Sequence, residues 1–197
     1  MKRVIAACAL GAASACGAQP VESVWPVDAP VTVSAVAASP LAGWYAVADT
    51  GNDTVEIRDA SGALKRRLTA AELEPGGPVR GYPGAEGPVA LAFSDTGLAL
   101  YVALRNDVSP AADVIRRYDV GTGLMTTFAT VDLGQTASAT GVSLAFHAGR
   151  LFVGSPFGVR RYRALSTDGS GVLQESLALS GVTALAVDRD QGNLFVS

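Results

Sequence analysis

Oxygen-bearing side chains gather directly after an apolar run, where Asp49, Asn52 and Asp53 follow Tyr45-Ala46-Val47-Ala48. Carboxylate and amide oxygens are the ligands that Ca²⁺ takes in proteins, so calcium or ligand binding through Asp49 and Asn52 is one chemistry open to this stretch. The same residue types also build turns, because their side chains bond nearby backbone amides and tolerate left-handed backbone. We expect a turn here and no cofactor, and we keep calcium as the alternative.

A second polar group, Arg105-Asn106-Asp107, follows another apolar run at the corresponding point of a later copy of this pattern. We expect an exposed loop there, in which Arg105, Asn106 and Asp107 are candidates for contacting a ligand. Basic groups occur at Arg116-Arg117 and Arg160-Arg161-Tyr162-Arg163 within alternating strand patterns. Because we expect these strands to be partly solvated, we interpret both groups as surface charge, with a basic partner site as the alternative.

Motifs of nucleophilic, zinc, redox and phosphate chemistry are absent from the sequence, which has no G-x-S-x-G, H-E-x-x-H, C-x-x-C or Gly-Lys-Ser/Thr pattern. His147 is the only histidine, and we expect it to lie in a turn. No catalytic residue and no metal ligand set is therefore predicted. The formal net charge of -3 gives no reason to expect nucleic acid as a partner, because nucleic-acid binding demands a basic face.

The N-terminus has the pattern of an export signal, which we assign to residues 1–15. Met1-Lys2-Arg3 is positively charged, Val4 to Ala12 is a short apolar run, and Ala13-Ser14-Ala15 is a small-residue cleavage box. Cys16 follows at once, and this arrangement resembles a bacterial lipoprotein signal. The resemblance implies that Cys16 is lipidated and anchors the protein to a membrane of the cell envelope without spanning it. The alternative is a plain periplasmic or secreted protein.

Residues 16–30 carry three prolines and lack periodicity, so we interpret them as a tether between anchor and domain. No cysteine follows Cys16. The domain that begins at residue 31 therefore has neither an internal disulfide nor a thiolate metal site.

The elements that would position these residues are short strands that recur along residues 31–197. Apolar strand patterns are separated by turn residues, and four such strands form one unit, or blade. Equivalent apolar positions lie 55, 53 and 41 residues apart, at Val36, Leu91, Leu144 and Leu185. Four strands with a period of about 40 to 50 residues predict an all-β propeller, in which stacking of the blades buries their faces. A capping-box pattern, Thr69-Ala70-Ala71-Glu72, also predicts one helical turn.

The first unit resembles the repeat of a known propeller family. Val47-Ala48-Asp49-Thr50-Gly51-Asn52 resembles the strand and turn of the NHL repeat, and Tyr118-Asp119 resembles the aromatic-Asp ending of that repeat. The resemblance implies a propeller whose sites lie around the central channel, on the face that carries the loops from second to third strands. Asp49 and the Arg105 group both fall on that face.

The recurring pattern gives three complete blades and part of a fourth, which ends at Ser197 in a second strand. An incomplete ring leaves sheet edges exposed. We expect the chain to be a fragment or a truncated reading frame, and closure by another chain is the alternative.

The function that these patterns favour is non-catalytic: an envelope propeller that binds a protein, a glycan or a small ligand. The family resemblance also implies an enzymatic alternative, because propellers that resemble NHL repeats include calcium-dependent lactonases and a lyase. Such a site would lie partly in further blades beyond this sequence. A nonfunctional truncated product is the third hypothesis.

Overall fold

Alternating apolar and polar residues, broken by turns, give strands along most of the domain. The structure is a computed structural model that describes residues 32–41, 43–74, 87–105, 113–133, 141–164 and 169–197. The predictions for the export signal, Cys16, the tether, Asn106 and Asp107 lie outside the described residues.

The described residues form three four-stranded antiparallel sheets and one two-stranded sheet, each with its strands in chain order. Blade I contains β1 (Val33–Ala38), β2 (Trp44–Asp49), β3 (Thr54–Asp59) and β4 (Leu64–Leu68). Blade II contains β5 (Gly87–Phe93), β6 (Ala99–Arg105), β7 (Asp113–Asp119) and β8 (Met125–Val131). Blade III contains β9 (Ser143–His147), β10 (Arg150–Ser155), β11 (Gly158–Ala164) and β12 (Gly171–Leu177). The two-stranded sheet contains β13 (Leu185–Val187) and β14 (Leu194–Val196).

The connection after blade I starts with one helical turn, α1 (Ala70–Leu73). The predicted capping box is present, because the Glu72 carboxylate accepts hydrogen bonds from the Thr69 backbone N–H at 3.0 Å and from its hydroxyl at 2.9 Å. Leu73 is buried, so the turn is held by packing as well as by its cap. His147 is half-buried at the end of β9, adjacent to the predicted turn.

The core lies between blades. One apolar cluster joins blade I to blade II and includes Ile57, Leu68 and Leu100; a second joins blade II to blade III and includes Tyr101 and Leu151. Each blade therefore buries its faces only by stacking on a neighbour, as the sequence pattern predicts.

Burial of the first strand differs between blades. Every residue of β5 is buried, whereas Val33 and Val36 of β1 are exposed. Burial of a first strand therefore depends on which faces of its blade are covered. The physical reason is that blade II is covered on both faces by described neighbours, and blade I on one.

A charged cluster on blade I predicts a pH dependence of stability. Glu56 accepts hydrogen bonds from Arg58 at 2.7 Å and from Arg67 at 2.5 Å. Burial acts to raise the pKa of the Glu56 carboxyl, but the hydrogen bonds and charges of Arg67 and Arg58 outweigh burial and hold this pKa below its usual value of 4.5. The unfolded chain therefore binds the proton more readily, and the stabilisation is complete above about pH 4.5 and is lost as pH falls through the lower folded value.

We expect the difference in unfolding free energy between the native chain and Glu56→Gln to shrink as pH falls from about 6 to about 3. Urea unfolding of both chains at several pH values measures this difference in unfolding free energy. A difference that stays constant over this range would contradict the pKa shift.

Candidate functional site

The turn between β2 and β3 is built around the Asp49 carboxylate. Oδ1 accepts hydrogen bonds from the backbone N–H of Thr32 at 3.2 Å, Gly51 at 3.0 Å and Asn52 at 3.3 Å, and Oδ2 accepts one from Nδ2 of Asn52 at 2.7 Å. Asp49 is buried. Its oxygens are thus used within the turn, as expected from turn chemistry.

This network predicts a structural role for Asp49. We expect Asp49→Ala to lower the free energy of unfolding by about 2 kcal/mol, because three backbone amides and the Asn52 side chain lose a charged acceptor that is itself buried. Asn52→Ala, which removes one partly buried side-chain hydrogen bond, should cost about 0.5–1 kcal/mol. Urea unfolding compares the two variants. Equal stability of Asp49→Ala and the native chain would contradict this role.

Two arginines lie in places that the sequence analysis did not predict. Arg105 is the last residue of β6, opposite Gly87 of β5, and is 2% exposed, so the prediction of an exposed loop is wrong for it. Arg105 belongs to the strand because β6 stays paired with β5 as far as Gly87. Arg116 is also buried, with its guanidinium donating to the Thr127 hydroxyl, which corrects the expectation of surface charge there. Arg117, Arg160 and Arg161 are half-buried.

Buried polar residues concentrate at the end of the blades that carries the turns between second and third strands. Asp49, Thr50, Arg105, Asp113 and Ser155 are all buried at this end. Asp113 accepts a hydrogen bond from the Leu133 backbone N–H at 2.7 Å. These groups lie on the face on which the sequence predicted a site.

The described residues also form a cleft of about 460 Å³ at the opposite end of the blades, which we call the II–III cleft. It lies between the β5–β6 turn of blade II and the β9–β10 turn of blade III. Its volume is within the range of small-molecule sites.

Aromatic side chains form the floor of the II–III cleft. The rings of Tyr101 and Phe146 are stacked with centroids 5.2 Å apart, and Phe128 meets Tyr101 edge-on at 5.0 Å. Burial raises the pKa of the Tyr101 phenol, and the nearby Arg117 guanidinium partly opposes that rise. Packing of this kind fixes the floor in one shape.

Charged side chains form the rim. Arg117 and Asp119 pair at 3.4 Å between Nη2 and Oδ2, and each side chain is about one quarter exposed. Hydrogen bonding from the Thr122 backbone N–H, at 2.9 Å, holds the pKa of Asp119 below its usual value, with help from Arg117. Asp95 accepts a hydrogen bond from the Gly149 backbone N–H at 3.4 Å, which links the two blades across the cleft. The rim therefore presents two carboxylates and one guanidinium.

The sequence carries only a partial signal for this cleft. Tyr101 and Arg117 are register partners on β6 and β7, and Phe152 and Arg161 are the equivalent partners in blade III. In blade I the equivalent partners are Ala46 and Ile57, which are buried against blade II. Because blade III has the same pair outside the cleft, the pair predicts a polar contact on the face of a blade and does not by itself locate the cleft.

The described residues contain neither a cluster of metal-ligating side chains nor a helix that could span a membrane. No group of three or more His, Cys, Asp or Glu side chains in them is placed to hold a metal ion. No helix among them has the length and apolarity to cross a membrane.

Comparison with known proteins gives likeness in structure alone. No protein-family model and no curated protein matches the sequence. The hydrazine synthase of Kuenenia stuttgartiensis is similar with a TM-score of 0.57 and 13% identity, over 90% of this chain and 45% of that one. A protein of unknown function from Bacteroides caccae is similar with a TM-score of 0.58 and 16% identity, over 89% and 56%. The WD40 repeats of RRP9 are similar with a TM-score of 0.55 and 15% identity, over 86% and 52%.

These likenesses, together with successive four-stranded antiparallel blades, define the fold class as a β-propeller. The chain spans about half the length of the solved structures that it matches. Because identity is so low, the comparisons bear on fold and not on function.

Proposed function

We propose that this chain is a non-catalytic, ligand-binding β-propeller of the bacterial cell envelope. The observation that supports binding is the II–III cleft, whose aromatic floor and charged rim have the composition of a small-ligand site. Hydrogen bonds hold the charged groups of the rim in place before any ligand binds. Binding to such groups loses little side-chain entropy.

The proposal includes an NHL-type repeat and export as a lipoprotein. The support is the strand and turn at residues 47–52, the apolar run closed by Ala13-Ser14-Ala15, and Cys16 directly after it. In this proposal lipidated Cys16 anchors the chain and residues 16–30 tether the propeller. A periplasmic or secreted protein cut near Ala15 or Ala18 is the alternative.

Binding is tested by thermal unfolding of the chain with a library of saccharides, amino acids, nucleotides and short peptides. A ligand of the folded state at 100 times its Kd stabilises by about 2.7 kcal/mol, so at least one class should raise the Tm. Arg117→Gln should reduce that rise to about half or less. No rise with any class, or calcium-dependent hydrolysis of a lactone by the native chain, would overturn the proposal.

Export is tested by expressing the chain with its own N-terminus in a bacterium fed radiolabelled palmitate. We expect label in the membrane fraction for the native chain and none for Cys16→Ser, with Cys8→Ser as the matched control that keeps the label. Unlabelled protein in the periplasm or medium would support the alternative, and protein retained in the cytoplasm would reject export.

A further inference from the structure

From the chemistry of its rim and walls, we infer that the II–III cleft binds a saccharide. This inference rests on the proposed function and names the ligand class for it. The rim combines hydrogen-bond acceptors with hydrogen-bond donors. Asp95 and Asp119 offer oxygens that only accept hydrogen bonds, and Arg117 offers N–H groups that only donate. A hydroxyl group both donates and accepts, so neighbouring hydroxyls satisfy both kinds of partner at once.

An apolar wall lies beside these polar groups. Leu98, Ala99 and Ala164 line the cleft together with Phe146, and Leu98 is 56% exposed. A sugar ring presents apolar C–H faces between its hydroxyls. Burying such a face against the wall adds hydrophobic stabilisation to the hydrogen bonds.

Other ligand classes fit the rim less well. A carboxylate or phosphate bound to Arg117 would lie near the Asp95 and Asp119 carboxylates, and like charges in a partly desolvated cleft repel. An ammonium bound to either carboxylate would meet the guanidinium in the same way. A neutral ligand rich in hydroxyls avoids both costs.

Hydrogen bonds and an ion pair fix the polar groups of the rim in place. Asp119 is held by Arg117 and by the Thr122 backbone, and Asp95 by the Gly149 backbone. Ser94 shares a hydrogen bond of 3.2 Å with Thr96 at the same turn. A rim held in this way keeps its acceptors and donors at fixed spacing, which is the condition for choosing among sugars that differ in the position of a hydroxyl.

The test is a microarray of neutral and acidic oligosaccharides probed with the labelled chain, followed by titration calorimetry with the free oligosaccharide that binds best. Arg117→Gln and Asp95→Asn each remove a charged hydrogen-bonding group of the rim. We expect each to weaken binding about tenfold or more, as is typical for charged hydrogen bonds. Arg161→Gln is the matched control, because Arg161 occupies the equivalent strand position in blade III and pairs with Glu175 at 3.1 Å, away from the cleft.

The outcomes separate this inference from the proposed function. Saccharide binding that is weakened about tenfold or more in both rim variants and unchanged in Arg161→Gln supports both. If no oligosaccharide binds, but another class raises the Tm of the native chain and Arg117→Gln reduces that rise to about half or less, the saccharide inference is overturned and the proposed function stands. Saccharide binding that neither rim variant weakens overturns the cleft as the site. Should Arg117→Gln fail to fold, Asp95→Asn on the rim carries the test.

Discussion

Phe128→Ala should lower the free energy of unfolding by about 3–5 kcal/mol, the usual cost of removing a buried phenyl ring. Phe128 is 2% exposed in the cluster between blades II and III. Its ring contacts Tyr101 at 5.0 Å and Tyr162 at 6.0 Å between centroids, and packs so closely on Gly171 that no Cβ would fit there. Removing the ring would therefore leave a cavity in the contact between blades II and III. The two blades are separate sheets, so no ladder of backbone hydrogen bonds holds them together there.

The matched control for this variant is Phe157→Ala. Phe157 is 57% exposed in the turn between β10 and β11, so its removal should change stability by less than about 0.5 kcal/mol. Urea unfolding of both variants compares midpoints at constant m. Similar losses at the two positions would show that the blade II–III contact does not carry the stability assigned to it.

Gly158→Ala has the second-largest expected effect, a loss on the order of 3 kcal/mol. The backbone of Gly158 has φ +134°, a region that L side chains rarely adopt, and strain there costs about 1–3 kcal/mol. An added Cβ would also collide with the Leu177 carbonyl oxygen and lie 2.9 Å from the Leu179 nitrogen. These are backbone atoms of the adjoining β12 segment, so they cannot move aside as a side chain would.

Gly43→Ala separates strain from collision. Gly43 also has a positive φ, of 62°, but nothing lies within 4 Å of its added Cβ. Gly43→Ala should lower the free energy of unfolding by about 1 kcal/mol, because only the left-handed backbone conformation opposes the added methyl group. The excess loss in Gly158→Ala, measured by the same urea titration, reports the collision with β12. Equal losses in the two variants would contradict it.

Local chemistry in the sequence determined the strands and the turns. Alternating apolar residues with Asp, Asn and Gly between them predict β2, β3 and the Asp49 turn, because strand period and turn bonding depend on residues close in the chain. The capping box at Thr69 is equally local, and the structure has it. Recurrence of the unit was enough to predict stacked blades, which the fold confirms.

Tertiary structure alone decided which polar residues are buried and where a cleft opens. Arg105 and Arg116 have the pattern of surface charge, yet both are buried, because their exposure depends on the sheet and blade that pack against them. The cleft needs Asp95 and Arg117 from blade II to face Gly149 of blade III. These residues lie far apart in sequence, and only the stacking of two blades brings them together.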